Sequence, residues 1–200
     1  MSRCRLFKHF LLCFLLTLLT LCGIAQSWEV RLLYNVNLGR NKALDRPMLG
    51  VTNSVWPLAI GVPVTMTAVG FVTKDPALKH QGLYTAATVF VNAGGTYVIK
   101  RIVNRTRPYE IYSLDNLVIE HNASFPSGHT SNSFALATSL TLATKKWYVA
   151  VPAYTWAATA GYSRLHLGVH YPSDVLAGAA MGAGSAVLLY HADRWLHKHK

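Results

Sequence analysis

Cysteine is scarce in this chain of 200 residues: three occur, Cys4, Cys13 and Cys22, all within the first 25 residues. They have neither the spacing of metal ligands nor a loop between them to close, so the remainder of the chain cannot form a disulfide. Charge is scarce as well, at 14% of residues against 52% hydrophobic. A composition this apolar is unusual for a soluble protein and favours a membrane protein.

Acidic residues are the rarer charged type, since 8 Asp and Glu stand against 19 Lys and Arg and leave a formal net charge of +11. A nucleic-acid-binding protein would gather its basic residues on one soluble face with interleaved aromatic side chains. Here the basic residues lie in short clusters between apolar runs, so the sequence predicts no nucleic-acid partner. The clusters indicate loops in contact with membrane lipids and a site for an anionic substrate.

The start of the chain has the layout of a secretory signal. Arg3, Arg5 and Lys8 precede an apolar run over residues 10–24, which ends in small residues where a peptidase would cut. The same run is almost long enough to span a bilayer, so residues 1–25 are either a signal peptide or an uncleaved signal anchor. In both cases the chain continues on the outer side of the membrane.

The rest of the chain divides into an interfacial part and a membrane-embedded part. Residues 26–50 are typical of an amphipathic helix and loop at the interface, with Trp28 as the anchor and Pro47 near the helix end. Residues 51–200 form the predicted embedded domain, an all-α multi-pass transmembrane helical bundle. Its apolar segments cover residues 52–72, 83–99, 129–144, 147–162 and 174–190. Three polar stretches between or at the ends of these segments then fall on the outer side.

The stretch before the last apolar segment carries Arg164, His170 and Asp174. If the chain is helical from Pro172, Asp174 faces His170 and can hold the imidazole in one tautomer, which is the orienting half of a nucleophile arrangement. Arg164 offers planar donors suited to a tetrahedral oxyanion such as phosphate. Taken alone, the stretch is equally typical of a basic interfacial loop with a helix-capping aspartate.

A second polar stretch follows residue 99. Lys100 and Arg107 are seven residues apart, so they share a face if the preceding helix continues until Pro108 stops it. Arg101 and Arg105 would point elsewhere, and we assign them to a juxtamembrane cluster attracted to lipid head groups.

The third stretch, Pro126-Ser127-Gly128-His129, directly precedes an apolar helix. Ser127 is a natural N-cap, and Gly128 lets a ligand approach the free N–H groups at the positive helix end. His129 on the first turn would point at an anion bound there. A simple capping motif does not explain this histidine.

Together, the three stretches resemble the signature motifs of the type 2 phosphatidic acid phosphatase superfamily, which also includes vanadium-dependent haloperoxidases. The matching positions are Lys100, Arg107, Pro108, Pro126, Ser127, Gly128, His129, Ser163, Arg164, His170 and Asp174. Their order and spacing agree with the family pattern, no motif position departs from it, and the likeness covers roughly residues 52–190.

The resemblance implies an all-helical bundle and a two-step hydrolase that uses no metal ion or other cofactor. By the family pattern His170 attacks phosphorus and becomes phosphorylated, Asp174 holds its other nitrogen, and His129 protonates the departing oxygen. The implied phosphate-binding residues are Lys100, Arg107, Ser127, Gly128 and Arg164. No catalytic role follows for His166, which is interpreted as a supporting or loop residue. Glu120 lies in a loop that could touch the substrate, but nothing in the sequence distinguishes it from a solvated loop residue.

The expected substrate is a lipid phosphate or pyrophosphate, and several satisfy the pattern equally: undecaprenyl pyrophosphate, phosphatidate, phosphatidylglycerophosphate and the phosphates of lipid A. A vanadium-dependent haloperoxidase is the main alternative, and a non-enzymatic membrane protein with the same fold is another. The short chain and its signal-like start predict a bacterial inner-membrane protein whose active site faces the periplasm or exterior.

Overall fold

A computed structural model describes residues 28–198, and every regular element in that range is a helix. The elements are α1 (residues 28–38), a 3-10 turn (Lys42–Leu44), α2 (Asp45–Val72), α3 (Pro76–Val103), α4 (Pro108–Ile111), α5 (Gly128–Thr144), α6 (Trp147–His166) and α7 (Pro172–Lys198). The predicted all-α class is confirmed. The predicted signal peptide or signal anchor, residues 1–25, lies outside the described residues.

The long helices extend beyond the apolar runs because polar residues provide their first and last turns. α2 begins at Asp45, so Pro47 lies in its first turn, where a missing N–H leaves no helical bond unmade. The expectation that Pro47 ends the interfacial helix is therefore wrong. α3 begins after Asp75, whose carboxylate accepts hydrogen bonds from the Ala77 and Leu78 amides.

α3 ends earlier than the spacing of Lys100 and Arg107 predicts. It stops at Val103 because Asn104 adopts a left-handed conformation with φ of 44°, which asparagine tolerates better than most residues. Arg107 follows in extended backbone as the N-cap of α4. The two cations therefore do not share a helical face, although the turn brings Arg107 back to the same end of the bundle.

The bundle carries its large apolar side chains on the outside. Ile60, Phe71, Phe90 and Leu188 are all more than half exposed, whereas the buried apolar cluster consists of small and medium side chains. This arrangement suits a lipid environment, in which apolar surface carries no penalty. Two helical stretches, Lys42–Val72 and Pro172–Leu196, are long and apolar enough to cross a membrane by length and composition.

The middle of the bundle is held by a neutral polar group that we call the central network: Asn92, Thr96, Ser131 and Asn132. Asn92 donates to the Asn132 side chain at 2.8 Å and accepts from the Ser131 hydroxyl at 2.7 Å, and the Thr96 and Ser131 hydroxyls lie 3.1 Å apart. All four residues are buried. Within a membrane, such bonds join helices that hydrophobic burial would not hold together.

α5 and α7 approach each other most closely, along a seam of small residues. A Cβ atom at Gly178 would lie 2.6 Å from the Ser127 carbonyl oxygen, and one at Gly182 would come even closer to the Ser131 carbonyl. Only glycine permits this approach. Because Ser127 and Asp174 stand at the adjoining ends of the two helices, the seam fixes the distance between their first turns.

α1 docks on the end of the bundle at which α5 and α7 begin, which we call the site end. Leu33, on α1 itself, is buried. The Asn37 side chain donates to the backbone carbonyls of Asp115 and His166, at 3.1 and 2.9 Å, and accepts from the Asp115 amide at 2.9 Å. These bonds fix α1 to the connection between α4 and α5 and to the end of α6.

Candidate active site

His170 and Asp174 meet at the start of α7. His170 lies just before the helix and Asp174 in its first turn, with His170 Nδ1 3.3 Å from Asp174 Oδ2. Both side chains are buried, at 1% and 0% exposure. The predicted pairing requires the helix to begin at Pro172, as it does. The carboxylate also accepts from the Tyr171 amide and the Ser124 hydroxyl, which fix its orientation.

The surroundings of His170 favour its neutral form. Burial lowers the pKa of His170 to about 3, although the hydrogen bond to Asp174 acts in the opposite direction. With its Nδ1 hydrogen directed at the carboxylate, Nε2 is the unprotonated nitrogen on the other side of the ring. Nε2 faces the guanidinium of Arg107, at 3.3 Å from Nη1. The imidazole therefore presents an unprotonated nitrogen towards a cluster of cations.

Arg107 is locked in place by backbone and side-chain acceptors. Its Nε donates to the Asn122 carbonyl and its Nη1 to the Val169 carbonyl, each at 2.8 Å. Its Nη2 donates to Glu120 Oε2 at 2.6 Å. The guanidinium is 1% exposed, so its fork of donors is fixed before any ligand arrives.

Arg164 approaches the same place from the end of α6. Its Nη1 donates to the Thr52 hydroxyl and its Nη2 to Glu120 Oε1. Its Nε is buried without a hydrogen-bond partner among the described residues. An unpaired buried donor on a charged group is costly, and an oxyanion would satisfy it.

Glu120, for which no role was predicted, lies between these two arginines. Its carboxylate bonds to Arg107 and Arg164, and His129 Nδ1 lies 3.8 Å from Oε1. Burial alone would raise the pKa of Glu120, but the two guanidinium groups outweigh it and lower the pKa to about 2. An ionised carboxylate thus lies between the two guanidinium groups, where an anionic ligand would have to compete with it.

The start of α5 supplies backbone donors on another side. The Ser127 hydroxyl accepts from the Thr130 amide, and its carbonyl accepts from the Ser131 amide. The N–H groups of Gly128 and His129 have no acceptor within residues 28–198, so they are free to bind an anion at the helix end. The Ser127 amide donates to the Asp174 carbonyl at 3.0 Å, which ties this turn to the start of α7.

Lys100 and His129 line one cavity of about 200 Å³. Glu120 and Gly128 line it as well, and its remaining wall includes Trp56, Ala93 and Tyr97 from α2 and α3. The Lys100 ammonium donates to the Ala123 and Ser124 carbonyls at its edge. We call the group formed by Lys100, Arg107, His129 and Arg164 around Glu120 the anion pocket. One end of the cavity is cationic and the other is apolar.

The structure therefore brings the eight residues predicted for the site to one end of the bundle. His166, which was given no role, points away from the pocket and lies 2.8 Å from Asp45. Arg105 departs from its assignment to lipid head groups: it binds Glu29, Ser173 and Asp174. Sequence spacing carries no signal for Arg105 or Glu120, because both partnerships join segments distant along the chain.

Comparison with known proteins identifies related sequences. The family model described as the PAP2 superfamily matches residues 79–198. The chain is 44% identical over 66 residues to the lipid A 4'-phosphatase of Bacteroides thetaiotaomicron, covering 33% of this chain and 29% of the relative. It is 37% identical over 115 residues to the decaprenylphosphoryl-5-phosphoribose phosphatase of Mycolicibacterium smegmatis, covering 58% and 61%. The chain thus spans less than two thirds of the length of these curated relatives.

The fold also has a solved counterpart. It is similar to the crystal structure of a transmembrane PAP2 type phosphatidylglycerolphosphate phosphatase from Bacillus subtilis, with a TM-score of 0.73 and 27% sequence identity. The similarity covers 90% of this chain and 94% of that one. The prediction of a transmembrane helical bundle is confirmed.

Proposed function

This chain belongs to the PAP2 superfamily, and from that premise we propose that it is a lipid phosphate phosphatase working through a phosphohistidine. The observation that carries the proposal is the cavity described above, in which Lys100 and His129 adjoin an apolar wall, and which Glu120 connects to the buried cations Arg107 and Arg164. A phosphate head group requires the cations, and a hydrocarbon tail requires the apolar wall.

In the first step His170 Nε2 attacks phosphorus. A P–N bond forms as the P–O bond to the lipid breaks, and protonated His129 gives its proton to the departing lipid oxygen. Asp174 holds the Nδ1 hydrogen and stabilises the positive charge that develops on the ring. In the second step His129 takes a proton from water as its oxygen attacks phosphorus. The P–N bond breaks, and inorganic phosphate and free His170 result.

Charge neutralisation in both steps falls to groups of the protein. Lys100, Arg107 and Arg164 surround the phosphoryl oxygens, and the Ser127 hydroxyl and the Gly128 amide complete the set at the helix end. Phosphoryl transfer needs positioning and compensation of charge more than covalent assistance. Side-chain cations provide this compensation, so the proposed reaction requires no metal ion.

The substrate class follows from the apolar wall. Trp56 and Tyr97 stand at the lipid-facing side of the cavity and are 44% and 59% exposed. A tail can therefore stay in the bilayer while the head group reaches the cations. The relatives reported above are named as phosphatases, which favours this activity over a vanadium-dependent haloperoxidase. Lipid A phosphates, prenyl phosphates and pyrophosphates, phosphatidate and phosphatidylglycerophosphate form the candidate set.

The direct test is phosphate release by the purified full chain in detergent. The four candidate lipid classes would each be assayed with and without excess chelator, and halide oxidation would be assayed in parallel with added vanadate. We expect release from at least one lipid, undiminished by chelator. No release from the whole panel, dependence on magnesium, or halide oxidation alone would contradict the proposal.

The proposed location is the bacterial inner membrane, with the anion pocket facing the periplasm or exterior. Lys74, Lys145 and Lys146 lie in the connections at the opposite end of the bundle, in keeping with the positive-inside rule. A cysteine replacing exposed Ile119 near the pocket, in a chain whose own cysteines are replaced, should react with an impermeant maleimide added to intact spheroplasts. Reaction only after lysis would reverse the orientation.

A further inference from the structure

Arg105 lies behind the nucleophile, on the side of Asp174 that faces away from His170. Its Nη1 donates to Asp174 Oδ1 and to the Ser173 hydroxyl, both at 2.7 Å. Within residues 28–198 it is the only lysine or arginine paired with Asp174. Since Asp174 is fully buried, this guanidinium provides the neutralising charge that a buried carboxylate requires.

The two oxygens of Asp174 have separate partners. Oδ1 is held by Arg105, whereas Oδ2 accepts from the Tyr171 amide at 3.0 Å and faces His170 Nδ1 at 3.3 Å. Fixing one oxygen sets the rotation of the carboxylate and hence the direction of the other. Oδ2 is also held by the Tyr171 amide and the Ser124 hydroxyl, and the charged bond to Oδ1 adds to these in keeping Oδ2 directed at the imidazole.

Arg105 is itself fixed by its surroundings. Its guanidinium carbon lies 3.8 Å from the centre of the Tyr171 ring, and its Nη2 lies 2.5 Å from Glu29 Oε1. The other Glu29 oxygen accepts from the Ser173 hydroxyl at 2.5 Å. Glu29 belongs to α1, so the interfacial helix supplies the last member of a chain that runs Glu29, Arg105, Asp174, His170.

We propose that Arg105 is a positioning residue for the phosphatase reaction, which orients the Asp174 carboxylate towards His170 and is held in turn by Glu29 of α1. This inference rests on the proposed function. Arg105 bonds to Asp174 Oδ1, whereas His170 faces Oδ2, so Arg105 acts on the nucleophile through Asp174 and not by binding substrate. Its position behind the carboxylate predicts an effect on turnover without an effect on substrate binding.

The test compares Arg105→Gln with Arg101→Gln in the full chain, using the best lipid of the panel. Arg101 is the matched control, since it carries the same charge four residues earlier but is exposed and contacts Tyr97. We expect kcat to fall by about tenfold or more in Arg105→Gln, less than the roughly 10⁴-fold expected when the orienting carboxylate itself is lost. KM should stay within about twofold of the wild-type value, and Arg101→Gln should retain wild-type kcat.

A double-mutant cycle separates positioning from general stability. In an Asp174→Asn background, Arg105→Gln should cost less than about twofold in kcat, because the group through which it acts is already altered. Equal losses in both backgrounds, a rise in KM in place of a fall in kcat, or wild-type kcat in Arg105→Gln would overturn the inference.

Arg105→Lys provides the check on folding. Lysine keeps the positive charge but cannot bond to Asp174 and Glu29 with the two arms of a guanidinium group. Arg105→Lys should therefore recover part of the kcat that is lost in Arg105→Gln. Should Arg105→Gln not fold, Arg105→Lys carries the test: reduced kcat at unchanged KM supports the inference, and wild-type kcat overturns it. If the wild-type chain releases phosphate and the Arg105 variants have the same kcat as Arg101→Gln, only this inference fails. Absence of release from the wild-type chain would instead contradict the proposed function.

Discussion

The central network and the anion pocket are both buried and both polar, yet they are built from opposite kinds of groups. The central network uses neutral amides and hydroxyls that satisfy one another, as in the bond between Asn92 and Asn132. The anion pocket gathers cations, and a single loop carboxylate, Glu120, pairs with two of them. It also contains a buried donor, Arg164 Nε, that has no acceptor among the described residues.

The difference separates holding a fold together from binding a ligand. A closed set of neutral hydrogen bonds gains little from an added molecule, so we assign the central network to helix packing, although two of its members, Thr96 and Asn132, also line the cavity. A cation cluster with an unsatisfied donor gains from any oxyanion that outcompetes Glu120. The following four predictions test this separation, in order of decreasing expected effect.

The largest effect is expected from His170→Ala. Removing the nucleophile should lower phosphate release by about four orders of magnitude or more, because the covalent step can no longer occur. His166→Ala is the matched control, since His166 is equally buried, lies four residues earlier and points away from the pocket. A kcat near the wild-type value in His170→Ala would mean that His170 is not the nucleophile.

The second effect concerns stability against pH. Burial lowers the pKa of His170 in the folded state to about 3, from its usual value near 6.5. Below pH 6.5, His170 therefore binds a proton in the unfolded chain but not in the folded chain. Between pH 6.5 and about 3, the wild type should lose free energy of unfolding relative to His170→Ala, by about 2 kcal/mol at pH 5. Denaturation in detergent at pH 7.5 and 5 measures it. If the free energy of unfolding changed equally with pH in the two proteins, His170 would not be buried in its neutral form.

The third effect is on anion affinity. Glu120→Gln keeps the shape of the side chain and removes the charge that competes for Arg107 and Arg164. Inhibition by inorganic phosphate should tighten by about tenfold, equivalent to about 1.4 kcal/mol. Glu110→Gln, at an exposed position on α4, is the control for net charge. Weaker inhibition in Glu120→Gln would mean that the carboxylate supports the pocket and does not compete with ligands for it.

The smallest effect is expected in the central network. Asn92→Ala should lower the free energy of unfolding by about 1 kcal/mol, because it removes the donor to the Asn132 side chain and leaves Ser131 with Thr96 alone. Phosphate release should change less than about threefold. Asn53→Ala, at an exposed position on α2, is the control. A large loss of turnover without loss of stability would place the network in the active site and remove the distinction between the two regions.

The sequence predicted the helical class and the residues that meet at the site end because both are encoded locally. Apolar runs mark the helices, and two residues mark the helix starts that orient His129 and Asp174: Ser127 just before α5, and Pro172 as the first residue of α7. The prediction that Lys100 and Arg107 share a helical face was wrong. A left-handed Asn104 ends α3 between them, and the spacing of two cations contains no information about that turn.

The roles of Glu120 and Arg105 could not be predicted because their partners lie far along the chain. Arg105 meets Asp174, 69 residues later, and Glu29, 76 residues earlier. In the sequence it is one of four basic residues in a juxtamembrane cluster, and its neighbour Arg101 fits that interpretation. Tertiary packing alone distinguishes the two arginines.

The glycine seam between α5 and α7 positions the reacting groups, whereas the apolar wall of the cavity belongs to other helices. The seam sets the spacing between the proposed proton donor, His129, and the proposed nucleophile, His170, whereas Trp56, Ala93 and Tyr97 of α2 and α3 line the apolar side of the cavity. Substitutions in that wall can retune tail preference and leave the reacting groups undisturbed. A scaffold organised in this way can diversify across lipids while its chemistry is inherited intact.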